Sequence, residues 1–221
     1  MESNFSRTEE NYIKSIFHLE QQEGSVTTNE LAAVMKTKPA SVTDMLKKLK
    51  VRRLLHYEPY MGFHLTTEGK KIALNIVRRH RLWEYFLVEK LQFGWDEVHE
   101  VAEELEHVGN KKLIDKLDAF LNFPKHDPHG DPIPDNNGKM SLRLQISLID
   151  LPVHKPAQVT AVGNQVPELL EMLQQKNIRI GTRLAVKKKF IFDNSVEVKI
   201  GKQPAVNISE QLAKALFVKT F

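Results

Sequence analysis

The chain has 221 residues, of which 41% are hydrophobic, and its formal net charge is +4. This length suffices for one large domain or two to three small ones. Cysteine is absent, which excludes disulfides, thiol catalysis and thiolate zinc sites. Since no apolar run approaches the length of a membrane span and the N-terminus has no signal-peptide core, we expect a soluble cytoplasmic protein with no membrane partner.

Helical periodicity dominates the first part of the chain. TEENYIKSIFHLEQQE (8–23) places its large apolar residues on one helix face. TTNELAAVMK (27–36) predicts a second helix with a Thr or Asn N-cap, and KPASVTDMLKKLKVRRLL (38–55) predicts a third after a short turn. LLHYEPYMGFHL (54–65) alternates around a Pro and a Gly, which indicates two strands joined by a turn.

This order of elements is typical of a winged helix-turn-helix that binds DNA. Residues 36–53 hold seven Lys or Arg against one acid, a charge that favours a polyanion partner. Small and hydroxyl side chains at the start of the third helix can approach base edges, and the lysines that follow can neutralise phosphates. The predicted DNA contacts are Lys38, Pro39, Ala40, Ser41, Thr43, Asp44, Lys47 and Lys48, with Tyr57, Tyr60 and His64 in the wing. The alternative is a helical pair with a solvated basic face.

Residues 96–106 hold six acids and no Lys or Arg, in the stretch after a long helix predicted over 66–91. On a helical wheel at about 100° per residue, carboxylates and imidazoles gather on one face and apolar residues on roughly the opposite face. The first face holds His99, Glu103, Glu106 and His107, and the second holds Val98, Val101, Leu105 and Val108. Divalent metals accept such ligands, and a solvated acidic face is the alternative. His80 and Glu84 lie four residues apart on the long helix and are further candidate ligands.

LWEYFLVEKLQFGW (82–95) holds more large apolar side chains than one helix buries against its own domain. It predicts a homodimer through the helices of residues 74–121.

Six of the ten prolines lie between Pro124 and Pro156, which marks the end of the helical part. Beyond it, AQVTAV, RIGTRLAVKKKF, SVEVKIG and ALFVKTF predict short strands, and VPELLEMLQQKN predicts one helix. We therefore predict a mainly α fold with a small β module. Its parts are a winged helix-turn-helix over 1–73, a helical metal-binding and dimerisation domain over 74–123, a Pro-rich linker over 124–150 and a small barrel over 151–221.

The motifs RRHRLWE, VHEVAEELEHV and FPKHDPHGDPIP lie in this order between the basic helices and the β module. The series resembles the diphtheria toxin repressor and manganese-transport regulator family, in its long form with a C-terminal SH3-like (FeoA-like) domain. The resemblance implies a homodimeric repressor that binds a palindromic double-stranded DNA operator when loaded with Mn(II) or Fe(II) and controls metal-uptake genes. The residues leave open a helical metal-dependent enzyme or metal-storage protein with an incidental basic face, but no nucleophile elbow, phosphate loop or dinucleotide motif is present, so we expect no enzyme.

The resemblance also implies two metal sites. The ancillary site would use His80, Glu84 and His99, with Gln165 and Glu168 as candidate ligands from the β module. The primary site would use Glu103, Glu106 and His107, together with Asn11 from the first helix. Glu103 stands where iron-type members of the family have Cys, which favours Mn(II).

Asp127, just before PHG, matches a Cys that reaches the primary site in some longer members of the family. The resemblance implies that Asp127 is a metal ligand or a close neighbour of the ligands, and that it supplies charge that Asn11 lacks. The alternative is a turn cap, a common role for an Asp before Pro.

Overall fold

The computed structural model describes residues 5–58, 62–141, 145–163 and 165–221. The chain divides into two compact units. The first comprises Met1–His80, Glu103–Ile114 and Pro134–Lys139, and the second comprises Arg81–Ala102, Asp115–Ile133 and Met140–Phe221. Within the described ranges, no helix is long and apolar enough to cross a membrane.

The chain begins with helices and a hairpin in the order that the sequence predicts. The elements are α1 (Arg7–Glu23), α2 (Thr28–Val34), α3 (Pro39–Val51), β1 (Leu55–Glu58), β2 (Gly62–Leu65) and α4 (Thr67–Leu91). Strands β1 and β2 pair antiparallel as the predicted wing, whereas the turn between them, with Tyr60, lies outside the described residues. This arrangement is the predicted winged helix-turn-helix.

Side-chain caps fix where the first two helices begin. Ser6 and Glu9 form a capping box at α1, and Thr27 and Glu30 form one at α2, so Thr27 is the N-cap expected from the sequence. Each box satisfies two backbone N–H groups that a helix start otherwise leaves unpaired. One face of α1 carries residues of the site described below.

An apolar core joins α1, α3 and α4 in the first unit. Ile13 and Ile16 of α1 and Leu46 and Leu49 of α3 are at most 1% exposed. Full burial of each such side chain contributes roughly 1.5–3 kcal/mol to stability. Because these residues anchor one side of α3, its polar residues remain on the surface.

The acidic helix is shorter than the wheel assumed. Helix α5 spans Val98–Leu105, so Glu106 and His107 lie in the turn that follows. The buried residues of α5 are Val98 and Ala102, and Glu106 extends this four-residue spacing with 0% exposure. The carboxylate of Glu106 is therefore buried, although the helical wheel placed this residue on the polar face.

The β module lies in the second unit, and six antiparallel strands form its sheet among the described residues. The order of the strands is β3-β8-β4-β5-β6-β7. The elements after α5 are α6 (Lys111–Phe120), β3 (Ile146–Ser147), a 3-10 turn (Leu148–Asp150), β4 (Pro156–Val162), α7 (Pro167–Gln175), β5 (Arg183–Lys189), β6 (Val196–Ile200), β7 (Val206–Ile208), α8 (Glu210–Ala215) and β8 (Leu216–Thr220). The mainly α fold with a small β module is confirmed.

Candidate functional site

The side chain of Lys14, on α1, bridges two carboxylates of the predicted primary site. Its Nζ lies 2.7 Å from Oε1 of Glu106 and donates a hydrogen bond to Oε2 of the same residue at 2.8 Å. The same Nζ lies 3.2 Å from Oε1 of Glu103. The structure thus brings Glu103 and Glu106 together around an ammonium group.

Glu106 stays ionised although it is buried. Burial raises its pKa, but a hydrogen bond with His80 and the charge of Lys14 outweigh this effect and hold the pKa below its ordinary value. Nδ1 of His80 lies 2.8 Å from Oε2 of Glu106. His80, which the resemblance assigns to the ancillary site, is therefore a partner of a predicted primary-site residue.

His107 is engaged by a different residue of α1. Its Nδ1 lies 2.6 Å from Oε2 of Glu10, and Oε1 of Glu10 accepts a hydrogen bond from Arg79 at 2.6 Å. The side-chain oxygen of Asn11 is buried and has no hydrogen-bond partner among the described residues. Asn11 can thus offer a neutral oxygen donor, while Glu10 already supplies the negative charge beside His107.

The sequence reasoning missed Glu10 and Lys14. Lys14 lies three residues after Asn11 and four after Glu10, and residues three or four apart share a helix face. The prediction for Asn11 pointed to this face of α1, so the face itself was the signal that could have included its neighbours.

In the second unit, the buried side chain of Glu84 is the centre of another cluster. Its Oε1 lies 3.2 Å from Nδ1 of His99, and its Oε2 lies 3.8 Å from Nδ1 of His129. Glu84, Asp127 and His129 each offer one ligand atom, and these atoms lie within 4.8 Å of one another. All three residues are buried.

The two carboxylate oxygens of Asp127 have different surroundings. Oδ1 accepts hydrogen bonds from the backbone N–H groups of His129 and Asp131, at 2.8 and 2.9 Å. Oδ2 is buried without a hydrogen-bond partner in the part of the chain that the structure describes. Burial, together with the charge of Glu84, raises the pKa of Asp127 to about 7.

His129 is held so that one ring nitrogen faces Glu84. Its Nε2 lies 2.7 Å from the carbonyl oxygen of Trp95, and the two rings stack at 6.1 Å. Burial lowers the pKa of His129, but the carboxylate of Glu84 outweighs burial and raises the pKa to about 9. The sequence reasoning did not name His129 as a ligand, although PHG was one of the motifs that carried the resemblance.

Gly130 lets this loop approach the sheet. Its φ is +92°, and a Cβ there would lie 2.1 Å from the backbone oxygen of Thr160. The carbonyl of His129 accepts a hydrogen bond from the N–H of Val162 at 3.0 Å. Strand β4 therefore fixes the loop that carries Asp127 and His129.

The donor set of Glu84, Asp127 and His129 fits a divalent cation. Two buried carboxyl groups and an imidazole converge, and the pKa values of Asp127 and His129 are both raised by their surroundings, the charge of Glu84 among them. Manganese and ferrous iron accept oxygen and nitrogen donors of this kind. One ring nitrogen of His129 faces a carbonyl while the other faces the cluster, as metal-bound histidines commonly do. A cleft of about 640 Å³ is lined in part by Asp127 and Trp95.

The two candidate ligands from the β module differ in position. The amide of Gln165 donates a hydrogen bond to Oδ2 of Asp131 at 3.1 Å, and the backbone of Asp131 binds Asp127. Glu168 is exposed in the first turn of α7. Gln165 is thus connected to the Asp127 loop through Asp131.

The predicted DNA-contacting residues, Lys38, Pro39, Ala40, Ser41, Thr43, Asp44, Lys47 and Lys48, are all exposed. Lys47 lies 3.4 Å from Asp44, and Lys48 lies 3.3 Å from Glu9. The hydroxyl of Thr43 donates to the carbonyl of Pro39 at 3.0 Å. The surface of α3 is therefore open to a polyanion.

Three family models match successive parts of the chain. Residues 4–63 match the N-terminal DNA-binding domain of iron-dependent repressors, residues 66–135 match their metal-binding and dimerisation domain, and residues 146–220 match the FeoA domain. The predicted boundaries at 73, 123 and 150 stay predictions.

Relatives and solved structures agree with these matches. The transcriptional regulator MntR of Oceanobacillus iheyensis is 36% identical over 118 residues, which cover 53% of this chain and 80% of that protein. The iron-dependent repressor IdeR of Mycobacterium leprae is 31% identical over 127 residues, 58% of this chain and 55% of that protein. A manganese-dependent transcriptional repressor solved with manganese is 31% identical, with a TM-score of 0.85, and the match covers 96% of this chain and 100% of that one.

These matches exclude the enzyme interpretation, since the matching families and relatives are transcriptional repressors. The chain belongs to the family of metal-dependent transcriptional repressors that includes MntR and IdeR, the family that its motifs resemble.

Proposed function

We propose that this repressor acts in the cytoplasm, where Mn(II) or Fe(II) activates it to bind a palindromic operator as a homodimer and to control metal-uptake genes. The observation that carries the proposal is the buried set of Glu84, Asp127 and His129. Two buried carboxyl groups close to each other are costly without a cation. Binding of a divalent ion would lower that cost, so the ion favours the conformations in which these residues converge.

The donor atoms favour manganese among the two metals. The set holds oxygen and nitrogen donors only, and the chain has no cysteine. Oxygen ligands suit Mn(II), whereas thiolates favour softer ions. A matching repressor structure contains manganese and another matching relative is named for iron, so both metals belong in the test.

On the DNA side, α3 supports the proposal. Pro39, Ala40 and Ser41 in its first turn are exposed, and its exposed lysines can contact phosphates. A two-fold dimer would present two such helices to a palindromic site.

The test measures the affinity of the full chain for its own promoter DNA by fluorescence anisotropy, with Mn(II), Fe(II), Zn(II) or no metal. We expect Mn(II) or Fe(II) to tighten binding at least tenfold, as typical coupling between two ligands allows. Glu84→Gln removes the central charge and should abolish this gain, whereas Asp150→Asn, an exposed acid of the same unit, should not. If none of the three metals changes the DNA affinity of the parent protein, the proposal is contradicted.

A further inference from the structure

Lys14 already compensates the carboxylates that the sequence assigns to a primary metal site. Its Nζ lies 2.7 Å from Oε1 of Glu106 and 3.2 Å from Oε1 of Glu103. The Lys14 side chain is 11% exposed and that of Glu106 is 0% exposed, so water and salt screen this contact weakly. A buried carboxylate is costly unless an opposite charge is close, and here the ammonium supplies that charge.

The imidazole of the same set also has a partner on α1. Nδ1 of His107 lies 2.6 Å from Glu10, which in turn accepts a hydrogen bond from Arg79. Carboxylates and imidazole alike are thus paired with charged groups of the first unit. An ion that enters this set must break existing ion pairs.

In the second unit, Nε of Arg81 lies 3.6 Å from Oδ2 of Asp127, a longer contact than the 2.7 Å between Lys14 and Glu106. A cation that approaches Asp127 therefore displaces a weaker ion pair than a cation that approaches Glu106.

We propose that Lys14 is a built-in counter-cation of the Glu103–Glu106 pair, and that Mn(II) binds this pair only by displacing the Lys14 ammonium. Two cations at hydrogen-bond distance from the same oxygens repel each other strongly, so Lys14 raises the Mn(II) concentration at which the pair is loaded. The inference rests on the proposed function, because it concerns the regulation of the same metal response. It makes the Glu84–Asp127–His129 set the one that Mn(II) loads first.

Lys14 also links this metal threshold to the DNA-binding fold. It lies on α1 between Ile13 and Ile16, which are buried in the core that α1 shares with α3. In the metal-free chain, the bridge from Lys14 to Glu106 joins α1 to the turn after α5. Displacement of the ammonium would replace this contact and so change how α1 is held.

Isothermal titration calorimetry of the full chain with Mn(II) alone tests the proposal. Lys14→Met removes the ammonium but keeps a long apolar stem, and its weaker Mn(II) binding event should be tighter than that of the parent on the order of tenfold or more. Lys14→Arg keeps the positive charge and should match the parent. The double variant Lys14→Met with Glu106→Gln removes the ammonium and one of the two carboxylates that it contacts. It should therefore lose the increase in Mn(II) affinity expected for Lys14→Met alone. Equal Mn(II) affinity and stoichiometry in Lys14→Met and the parent overturn the proposal.

Melting curves recorded without DNA give a second readout. Lys14→Met leaves the buried Glu106 without its ammonium partner, so it should melt at a lower temperature than the parent in chelator, and Mn(II) should raise its melting temperature more. If the variant is unfolded in chelator, Mn(II) must restore its circular dichroism, and failure to do so overturns the proposal. Since neither readout involves an operator, they stay separate from the metal dependence of DNA binding, on which the proposed function is judged.

Discussion

Asp127 has a geometry that suits both of the roles between which the sequence left a choice. Its Oδ1 accepts hydrogen bonds from two backbone N–H groups and so caps the turn, and one of its carboxylate oxygens lies within 4.8 Å of ligand atoms of Glu84 and His129. A turn cap needs an acceptor oxygen, whereas a metal ligand of this set needs the negative charge. The two roles can therefore be separated by substitution.

We expect Asp127→Asn and Asp127→Ala to differ. The Asn side chain keeps an acceptor oxygen for the turn but loses the charge, so Mn(II) affinity should fall about tenfold or more with little change in metal-free stability. The Ala side chain loses both, so it should weaken Mn(II) binding and also lower metal-free stability by about 1–3 kcal/mol. Calorimetry with Mn(II), beside melting curves in chelator, measures both effects. If Asp127→Asn has the same Mn(II) affinity as the parent, the only role of Asp127 is to cap the turn.

The carboxylate of Glu9 should make the free energy of unfolding depend on pH. Burial raises its pKa, but hydrogen bonds from the backbone of Ser6 and from Arg52 outweigh burial and lower the pKa from 4.5 to about 2. Because the folded pKa lies below the unfolded one, the stabilising contribution is complete above pH 4.5 and is lost as the pH falls towards 2. That contribution is about 3 kcal/mol.

Denaturation of the parent and of Glu9→Gln at several pH values between 7 and 2 checks this expectation. The variant should be less stable at pH 7, and the difference from the parent should shrink as the pH falls from 4.5 to 2. The exposed Asp150→Asn serves as the control and should show no such convergence. A constant difference across this range would mean that the charge of Glu9 does not stabilise the fold.

At the scale of elements, α5 shows where periodicity is informative and where it is not. The apolar and acidic periodicity predicted a helix here, and α5 spans Val98–Leu105. The choice of its buried face depended on hydrophobicity alone, so the wheel could not place Glu106 in the interior. Glu106 is buried because Lys14 and His80 balance it, and those partners are distant in sequence.

The β module shows a similar limit. Strands β4, β5, β6 and β8 and helix α7 follow the predicted segments, whereas β3, β7 and α8 have no counterpart among the predictions. These three elements have two, three and six residues, which is too short for a period to be recognised. Their structure depends on neighbours in the sheet, such as the pairing of β3 with β8.

Helix α3 allows a test of the DNA surface. Lys47 is exposed, and its ammonium lies 3.4 Å from the carboxylate of the exposed Asp44. Because such surface ion pairs contribute little, Lys47 can move to a phosphate at little cost. We expect Lys47→Ala to weaken binding to all DNA sequences and to lower the salt slope of log K by about one. Lys155→Ala, an exposed lysine of the second unit, is the control. If both variants keep the salt slope of the parent, the DNA surface lies elsewhere.

For the whole molecule, the metal clusters were the feature least accessible from sequence. The cluster of the second unit joins Glu84 with Asp127 and His129, and Trp95 orients the imidazole. Spacing along a helix can place residues such as His80 and Glu84 on one face. It cannot show which loop packs beside Glu84, because that depends on contacts between the loop and a strand that is distant in sequence. Gly130 and its close approach to β4 decide that contact, and the signal for it was the PHG motif.

The predicted homodimer gives the last test at this scale. In the second unit, Phe120 and Phe123 at the end of α6 and Leu91 at the end of α4 are 54–64% exposed. The match to a metal-binding and dimerisation domain covers these residues. Large apolar side chains at such exposure commonly mark an interface, and the ring of Phe120 lies 6.4 Å from that of Phe86, so the exposed aromatic surface continues towards α4.

Phe120→Glu should therefore convert the dimer into a monomer. A charge placed in an apolar interface costs about 2–4 kcal/mol, which weakens the dimer roughly 30- to 1,000-fold. Sedimentation equilibrium at micromolar protein measures the change, and Phe192→Glu is a matched control because Phe192 is 101% exposed in the β5–β6 turn, outside the matched dimerisation domain. The Phe120 variant should still bind Mn(II), since Phe120 is not part of the Glu84–Asp127–His129 set, but it should lose tight binding to a palindrome because two recognition helices no longer bind together. A Phe120 variant that sediments as a dimer would place the interface on another surface, and a parent that sediments as a monomer with Mn(II) present would exclude the dimer.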